Sequence, residues 1–183
     1  DPQHLAGFPA GVPTVPWGTP EGREALESAD LIVANTHTDT RWDKRPGARY
    51  VQTWHGTPLK RIHWDVLWAP EGRLERLQGD VDRWDLLISP SAAATPLLRR
   101  AFRYERGVLE SGYPRNDILS GPEAAATRGR VRQELGITDG RRAILYTPTW
   151  RDDAVFAAGG KKPALELDVD HLLEELGDDC VLL

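Results

Sequence analysis

From Leu31 to the end of the chain, short apolar runs alternate with stretches of helical period. This alternation constrains the fold more than any other feature. Strands separated by helix-length segments pair in parallel through crossovers, which predicts an α/β fold. Leu31-Ile32-Val33-Ala34, closed by Asn35, reads as a buried strand. Arg49 to Trp54 follows the turn-forming Arg45-Pro46-Gly47 and has the β-branched and aromatic content of a second. Asp85 to Ser89 and Arg106 to Glu110 read as the third and fourth. Ser91 to Arg103 reads as helix, with Thr95-Pro96 as N-cap and first helical position. After the break at Gly112-Tyr113-Pro114, a helix from Glu123 to Leu135 ends at Gly136 and a strand runs from Ala143 to Tyr146. A helix from Asp168 to Leu176 and a strand from Cys180 to Leu183 complete the pattern. The Pro- and Gly-rich start predicts irregular chain with a short helix from Glu21 to Ser28, and Ala157 to Pro163 predicts a loop.

At 183 residues the chain is one domain's worth of sequence or two halves of something larger. It contains no methionine and opens Asp1-Pro2-Gln3, which reads as a piece of a longer protein. The single Cys180 excludes an intrachain disulfide and a cysteine-based zinc site, and fits a reducing compartment. No apolar run reaches the roughly 18 residues of a spanning helix. The net charge of −5 disfavours a nucleic-acid-coating protein. That charge is uneven. Arg41, Lys44, Arg45, Arg49, Lys60 and Arg61 face Asp43 alone between Arg41 and His63, whereas Ala164 to the end is acidic without a cation. Such a basic island suggests an anionic ligand or surface, against the plainer reading of a solvated loop.

The chemistry concentrates in Thr53-Trp54-His55-Gly56-Thr57-Pro58-Leu59-Lys60. His55 is expected at the carboxyl end of the second strand, where open α/β sheets place ligands. Gly56 permits close backbone approach, and Thr57-Pro58 suits the start of a helix. Free amides there, with Lys60 and Arg61, would make an anion site, most often for phosphate. A histidine beside it has the right pKa range for a general base. The competing reading is a capped helix beside a histidine that only bonds locally.

Tyr50 to Lys60 closely resembles the signature of the CDP-glycerol glycerophosphotransferases, the teichoic-acid polymerase family. The resemblance extends, in the family's order, to Ser111-Gly112-Tyr113-Pro114-Arg115-Asn116-Asp117 and to Tyr146-Thr147-Pro148-Thr149-Trp150-Arg151-Asp152. Three motifs in register are far more specific than one. The resemblance implies a GT-B architecture, here incomplete at both ends, with Rossmann-like parallel sheets. Residues 1–112 would be the later part of the acceptor-side domain, and 113–183 the interdomain crossing and the start of the donor-side domain. It implies transfer of glycerol phosphate from CDP-glycerol to an anionic polyol-phosphate acceptor on a lipid carrier, at the cytoplasmic membrane face. His55 then matches the histidine that activates the acceptor hydroxyl. Gly56, Thr57, Lys60, Arg61, Arg115, Asp117, Thr149 and Arg151 are candidate substrate contacts. The family's His-Pro motif and Ser-Asp-Tyr-Ser-like segment are absent, so the chain alone is expected to be inactive. No metal or further cofactor is implied. Alternatives are a CDP-ribitol or nucleotide-sugar transferase, or a non-catalytic module docking on anionic membrane or polymer.

Other residues carry less weight. His37 and Asp39 read as cleft-lining residues or, more simply, as a polar turn after the first strand, and His63 reads as a helix-surface residue. Trp42, Trp64, Trp68 and Trp84 read as a lipid-facing patch or, for at least half of them, as buried packing. Arg115 and Asp117 read equally as an ion pair or as ligand contacts.

Overall fold

The structure, a computed structural model, describes residues 11–38, 41–147 and 167–183. The chain forms two compact units, Asp1–Asp117 and Ile118–Leu183. In the first, helix α1 (Pro20–Ser28) precedes strand β1 (Leu31–Ala34) and strand β2 (Arg49–Gln52). A 3-10 turn (His63–Asp65), helix α2 (Arg73–Val81), strand β3 (Leu86–Ser89), helix α3 (Thr95–Phe102) and strand β4 (Gly107–Glu110) follow. The four strands form one parallel sheet in the order β1-β2-β3-β4.

Local chemistry accounts for most of the ends. The Thr19 hydroxyl caps α1 by accepting from Gly22 N–H at 3.2 Å, with Pro20 in the first helical position. Helix α3 departs from expectation. Its N-cap is Ala94, because the Thr95 hydroxyl lies 2.8 Å from the Ser89 hydroxyl and 2.6 Å from Glu110 Oε1. Helix α2 has no counterpart in the sequence reading; it buries Val81 and Asp80.

One sheet face carries the core. Ile32 is in register with Tyr50 and Leu87 with the half-buried Val108 on that face, and Trp42, Val81, Trp84, Leu98, Phe102 and Tyr104 pack with them. The opposite face is aliphatic but partly bare: Leu31 and Val33 are 60% and 61% exposed. The expectation that β1 is buried on both faces is thereby corrected.

The second unit contains helix α4 (Ala124–Glu134), strand β5 (Arg142–Ile144), helix α5 (Val169–Leu176) and strand β6 (Cys180–Leu182), with β5 and β6 parallel. Gly136, at φ +71°, ends α4 in a Schellman motif: Ile137 N–H donates to Arg132 O and Gly136 N–H to Gln133 O. Asp168 caps α5 by accepting from His171 N–H at 3.0 Å. Cys180 is a buried free thiol. A 3-10 turn over Pro114–Leu119 spans the point where one unit gives way to the other.

Candidate functional site

His55 stands three residues beyond the carboxyl end of β2, exposed at the same end of the sheet as the loop after β1. Its Nδ1 lies 2.6 Å from the Asn35 carbonyl oxygen. A carbonyl only accepts, so the facing nitrogen carries the hydrogen and the neutral ring keeps its lone pair on Nε2. The ring also lies against the Trp54 indole, with centroids 4.1 Å apart. Trp54 in turn packs edge-on against Phe102 at 4.7 Å, which ties this exposed histidine to the core. An imidazole with a fixed Nδ1–H and an available Nε2 is equipped to take a proton from a hydroxyl.

The segment after His55 does not form the expected helix. Leu59 N–H donates to Thr57 O at 2.9 Å, a three-residue turn, and the next regular element is the 3-10 turn at His63. The cause is tertiary. Ile62 is extended and packs on the core, and His63 takes φ +48° to bury its ring. A regular helix from Thr57 would continue through both. The proposed row of helix-start amides is therefore absent, and any anion binding by Gly56, Thr57, Lys60 and Arg61 has to come from an irregular loop and its cations.

The basic island also divides. Lys44 Nζ pairs with Asp85 at 2.6 Å and donates to Arg83 O at 2.7 Å, and Arg45 pairs with Asp30. Asp30 and Asp85 immediately precede β1 and β3, so these two cations belong to the amino end of the sheet. Asp85 also accepts from Tyr50 N–H at 2.7 Å. Burial works against its ionised form, but Lys44 and the Tyr50 amide prevail and hold its carboxyl below the usual range. Lys60 and Arg61 lie in the loop that follows His55. The island is two sites, not one.

Behind His55 is a polar cluster that the sequence did not reveal. The fully buried Asp80 carboxylate accepts from His37 Nδ1 and Thr38 N–H at 3.2 Å each, from Trp84 Nε1 at 3.0 Å, and from the Thr38 hydroxyl. Arg83 and the Tyr50 hydroxyl lie at 3.3 Å and 3.4 Å. Burial opposes the charge, but the bonds from His37, Thr38 and Trp84 outweigh it and lower the Asp80 pKa. Tyr50 is pushed up, first by burial and then by that carboxylate. His37 is therefore not a free polar turn; it stacks between Trp84 at 5.5 Å and His63 at 5.3 Å. Nor is His63 on a helix surface. It is 7% exposed, donates from Nδ1 to Ala101 O at 3.1 Å, and leaves Nε2 without a partner. Burial, and then His37, lower its pKa to about 4. A signal for Asp80 existed in Leu74, Leu77 and Val81, a helical stripe that places α2. Nothing local marks the carboxylate itself as buried.

Among the described residues, no group of three or more His, Cys, Asp and Glu side chains could hold a metal ion.

The model of the CDP-Glycerol:Poly(glycerophosphate) glycerophosphotransferase family matches residues 2–183. The chain belongs to this family. The teichoic acid poly(glycerol phosphate) polymerase of Bacillus subtilis (strain 168) is 36% identical over 165 residues, covering 87% of this chain and 22% of that protein. The teichoic acid glycerol-phosphate transferase of Staphylococcus aureus (strain NCTC 8325 / PS 47) is 34% identical over 168 residues, covering 87% and 43%. Among solved structures, the wall teichoic acid polymerase TagF superposes with a TM-score of 0.81 at 34% identity, covering 95% of this chain and 44% of that one. A histidine-to-asparagine variant of TagF soaked with CDPG matches with a TM-score of 0.74 at 34% identity over 90% and 42%. The chain thus spans 22% to 44% of the length of these relatives. Its α/β fold, with parallel sheets, is that of the GT-B glycerophosphotransferases.

Of the other glycerophosphotransferase motif residues, Arg115 lies over the Tyr113 ring at 4.8 Å and forms no ion pair with Asp117. Asp117 is exposed in the 3-10 turn. Asp39, Thr149, Arg151 and the loop Ala157 to Pro163 lie outside the described residues.

Proposed function

We propose that this chain is the part of a glycerophosphotransferase that carries the base for the acceptor hydroxyl, in a protein that transfers glycerol phosphate from CDP-glycerol to a teichoic-acid-type polyol phosphate. The observation that supports it best is the His55 Nδ1–Asn35 carbonyl contact, which leaves the Nε2 lone pair to receive a proton. In the reaction the acceptor oxygen bonds to the phosphorus bearing glycerol, the bond to the CMP oxygen breaks, and the hydroxyl proton passes to Nε2. Lys60, Arg61 and Arg115 are the cations we assign to the phosphoryl oxygens. Residues 1–112 would be the acceptor side, and residues from 113 onward would begin the donor side.

The test is His55→Ala and His55→Asn in a protein of the relatives' length carrying this chain. Loss of a general base lowers kcat by about 10²–10⁴. Asparagine keeps a hydrogen bond to Asn35 O but takes no proton, so both variants should be folded and both inactive. Near-normal transfer by the Asn variant rejects the assignment.

The acceptor's lipid carrier calls for a membrane-facing surface, and we place it in the loop after His55. Leu59, Leu67 and Trp68 are 94%, 87% and 78% exposed there, in one segment with Lys60 and Arg61. Exposed aliphatic and indole side chains beside cations suit the boundary of an anionic bilayer. Among the described residues no helix is long and apolar enough to cross a membrane.

A further inference from the structure

Between β2 and His55 the chain bends sharply, and one side chain holds both sides of the bend. Trp54 has φ +54°, a left-handed conformation that strains a bulky residue. Such a conformation persists only where its surroundings over-determine it. Gln52, the last residue of β2, is fully buried. Its Oε1 accepts from Trp54 N–H at 2.9 Å, and its Nε2 donates to the Thr36 carbonyl at 3.1 Å. Thr36 adjoins Asn35, whose carbonyl receives the Nδ1–H of His55. Two residues further on, Thr38 is anchored by Asp80. One amide thus grips both the peptide that leads into the bend and the loop that holds the imidazole.

We propose that Gln52 is a positioning residue for His55: its amide clamps the left-handed turn at Trp54 to the Asn35–Thr36 loop and so keeps His55 in the Nδ1–H form. The catalytic part of this rests on the reading of His55 as the base. The chemistry is specific to an amide. A glutamine supplies a donor and an acceptor at once, whereas an ionised glutamate supplies acceptors only and methionine neither in useful strength. Without the clamp, the Thr36 carbonyl and the Trp54 amide lose their partners inside the protein. The loop then shifts to satisfy them, carrying the Asn35 oxygen away from the ring.

The test uses ring-nitrogen NMR of histidine-labelled chain, with the His55 signal assigned by its loss in His55→Asn. Wild type should show His55 as the Nδ1–H tautomer. In Gln52→Met and Gln52→Glu that signature should be lost, while the His37 and His63 signals, which report the core, stay in place. In a protein of the relatives' length, the same variants should lower kcat about 10–100-fold with KM for CDP-glycerol within about twofold, as expected when a reacting group is misplaced. If Gln52→Met also disturbs His37 and His63, the size-matched Gln52→Glu decides. An unchanged His55 tautomer with an intact core, in the variant that decides, overturns the proposal. A tautomer that responds to Gln52 while His55→Asn remains active would instead remove the general-base reading and leave the clamp.

Discussion

His63 illustrates how a single residue can set the acid sensitivity of the fold. Its ring is enclosed by His37, Trp64 and Phe102, with Arg103 and Asp80 as the other charged neighbours. Burial, then the repulsion from His37, lowers its pKa from 6.5 to about 4. Between those values the unfolded chain holds a proton that the folded chain does not. Stability should therefore be intact above the upper value and fall as pH drops through the window, by up to about 1.4 kcal/mol per pH unit. Below it, protonation of Asp80, whose carboxyl is held under its usual value, adds a further loss. Urea midpoints at about pH 7 and about pH 5 measure the first effect. His63→Phe keeps an aromatic ring but removes the proton site, so it should flatten the difference between the two midpoints even though losing the bond to Ala101 lowers both. An undiminished pH difference in that variant would exclude His63 as its source. His55 was legible as a candidate in the sequence because it sits in a strand-end motif, though its Asn35 partner, 20 residues away, was not. Gln52, His37 and Asp80 were not, because each matters through a partner 16 to 43 residues away.

At the scale of elements, most strands and helices were legible from apolar runs and from the helix-ending Gly136. Three features were not, and helix α2 was one of them. A helix was expected from Thr57 because Thr-Pro is good local helix-start chemistry, yet burial of Ile62 and His63 is worth more than one cap. The β1 run gave no sign that its two faces differ, since a four-residue aliphatic stretch has no alternation to read. That difference predicts an asymmetric response. Leu87, fully buried on the core face of β3, should cost about 2–5 kcal/mol when changed to alanine. Leu31→Thr and Val33→Thr, on the exposed face, should each stay within about 0.5 kcal/mol of the parent. Urea unfolding of the chain measures both. A large loss at Val33 would mean that this face is covered in solution.

For the whole molecule, charge and exposed apolar surface have to be weighed together. The chain carries −5 overall, which by itself repels an anionic bilayer. Long-range repulsion is screened over about 8 Å at physiological ionic strength, so a compact basic and apolar segment can still engage at contact. Leu59, Lys60, Arg61, Leu67 and Trp68 form such a segment, whereas Lys44 and Arg45 are committed to Asp85 and Asp30 and should contribute little. Co-sedimentation with vesicles of phosphatidylglycerol and phosphatidylcholine separates these contributions. The chain should pellet with the anionic vesicles and much less with neutral ones, and salt should weaken binding in part, because only the ionic share is screened. Leu67→Glu combined with Trp68→Glu should abolish pelleting, since the substitutions remove the apolar contact and add repulsion. Lys60→Glu with Arg61→Glu should do so mainly at low salt. Lys44→Gln should leave binding unchanged while lowering thermal stability, because its role is the ion pair at the start of β3. Equal pelleting of the wild type and the Leu67/Trp68 double variant would reject the loop after His55 as the membrane-facing surface, leaving the assignment of His55 to the acceptor hydroxyl untouched.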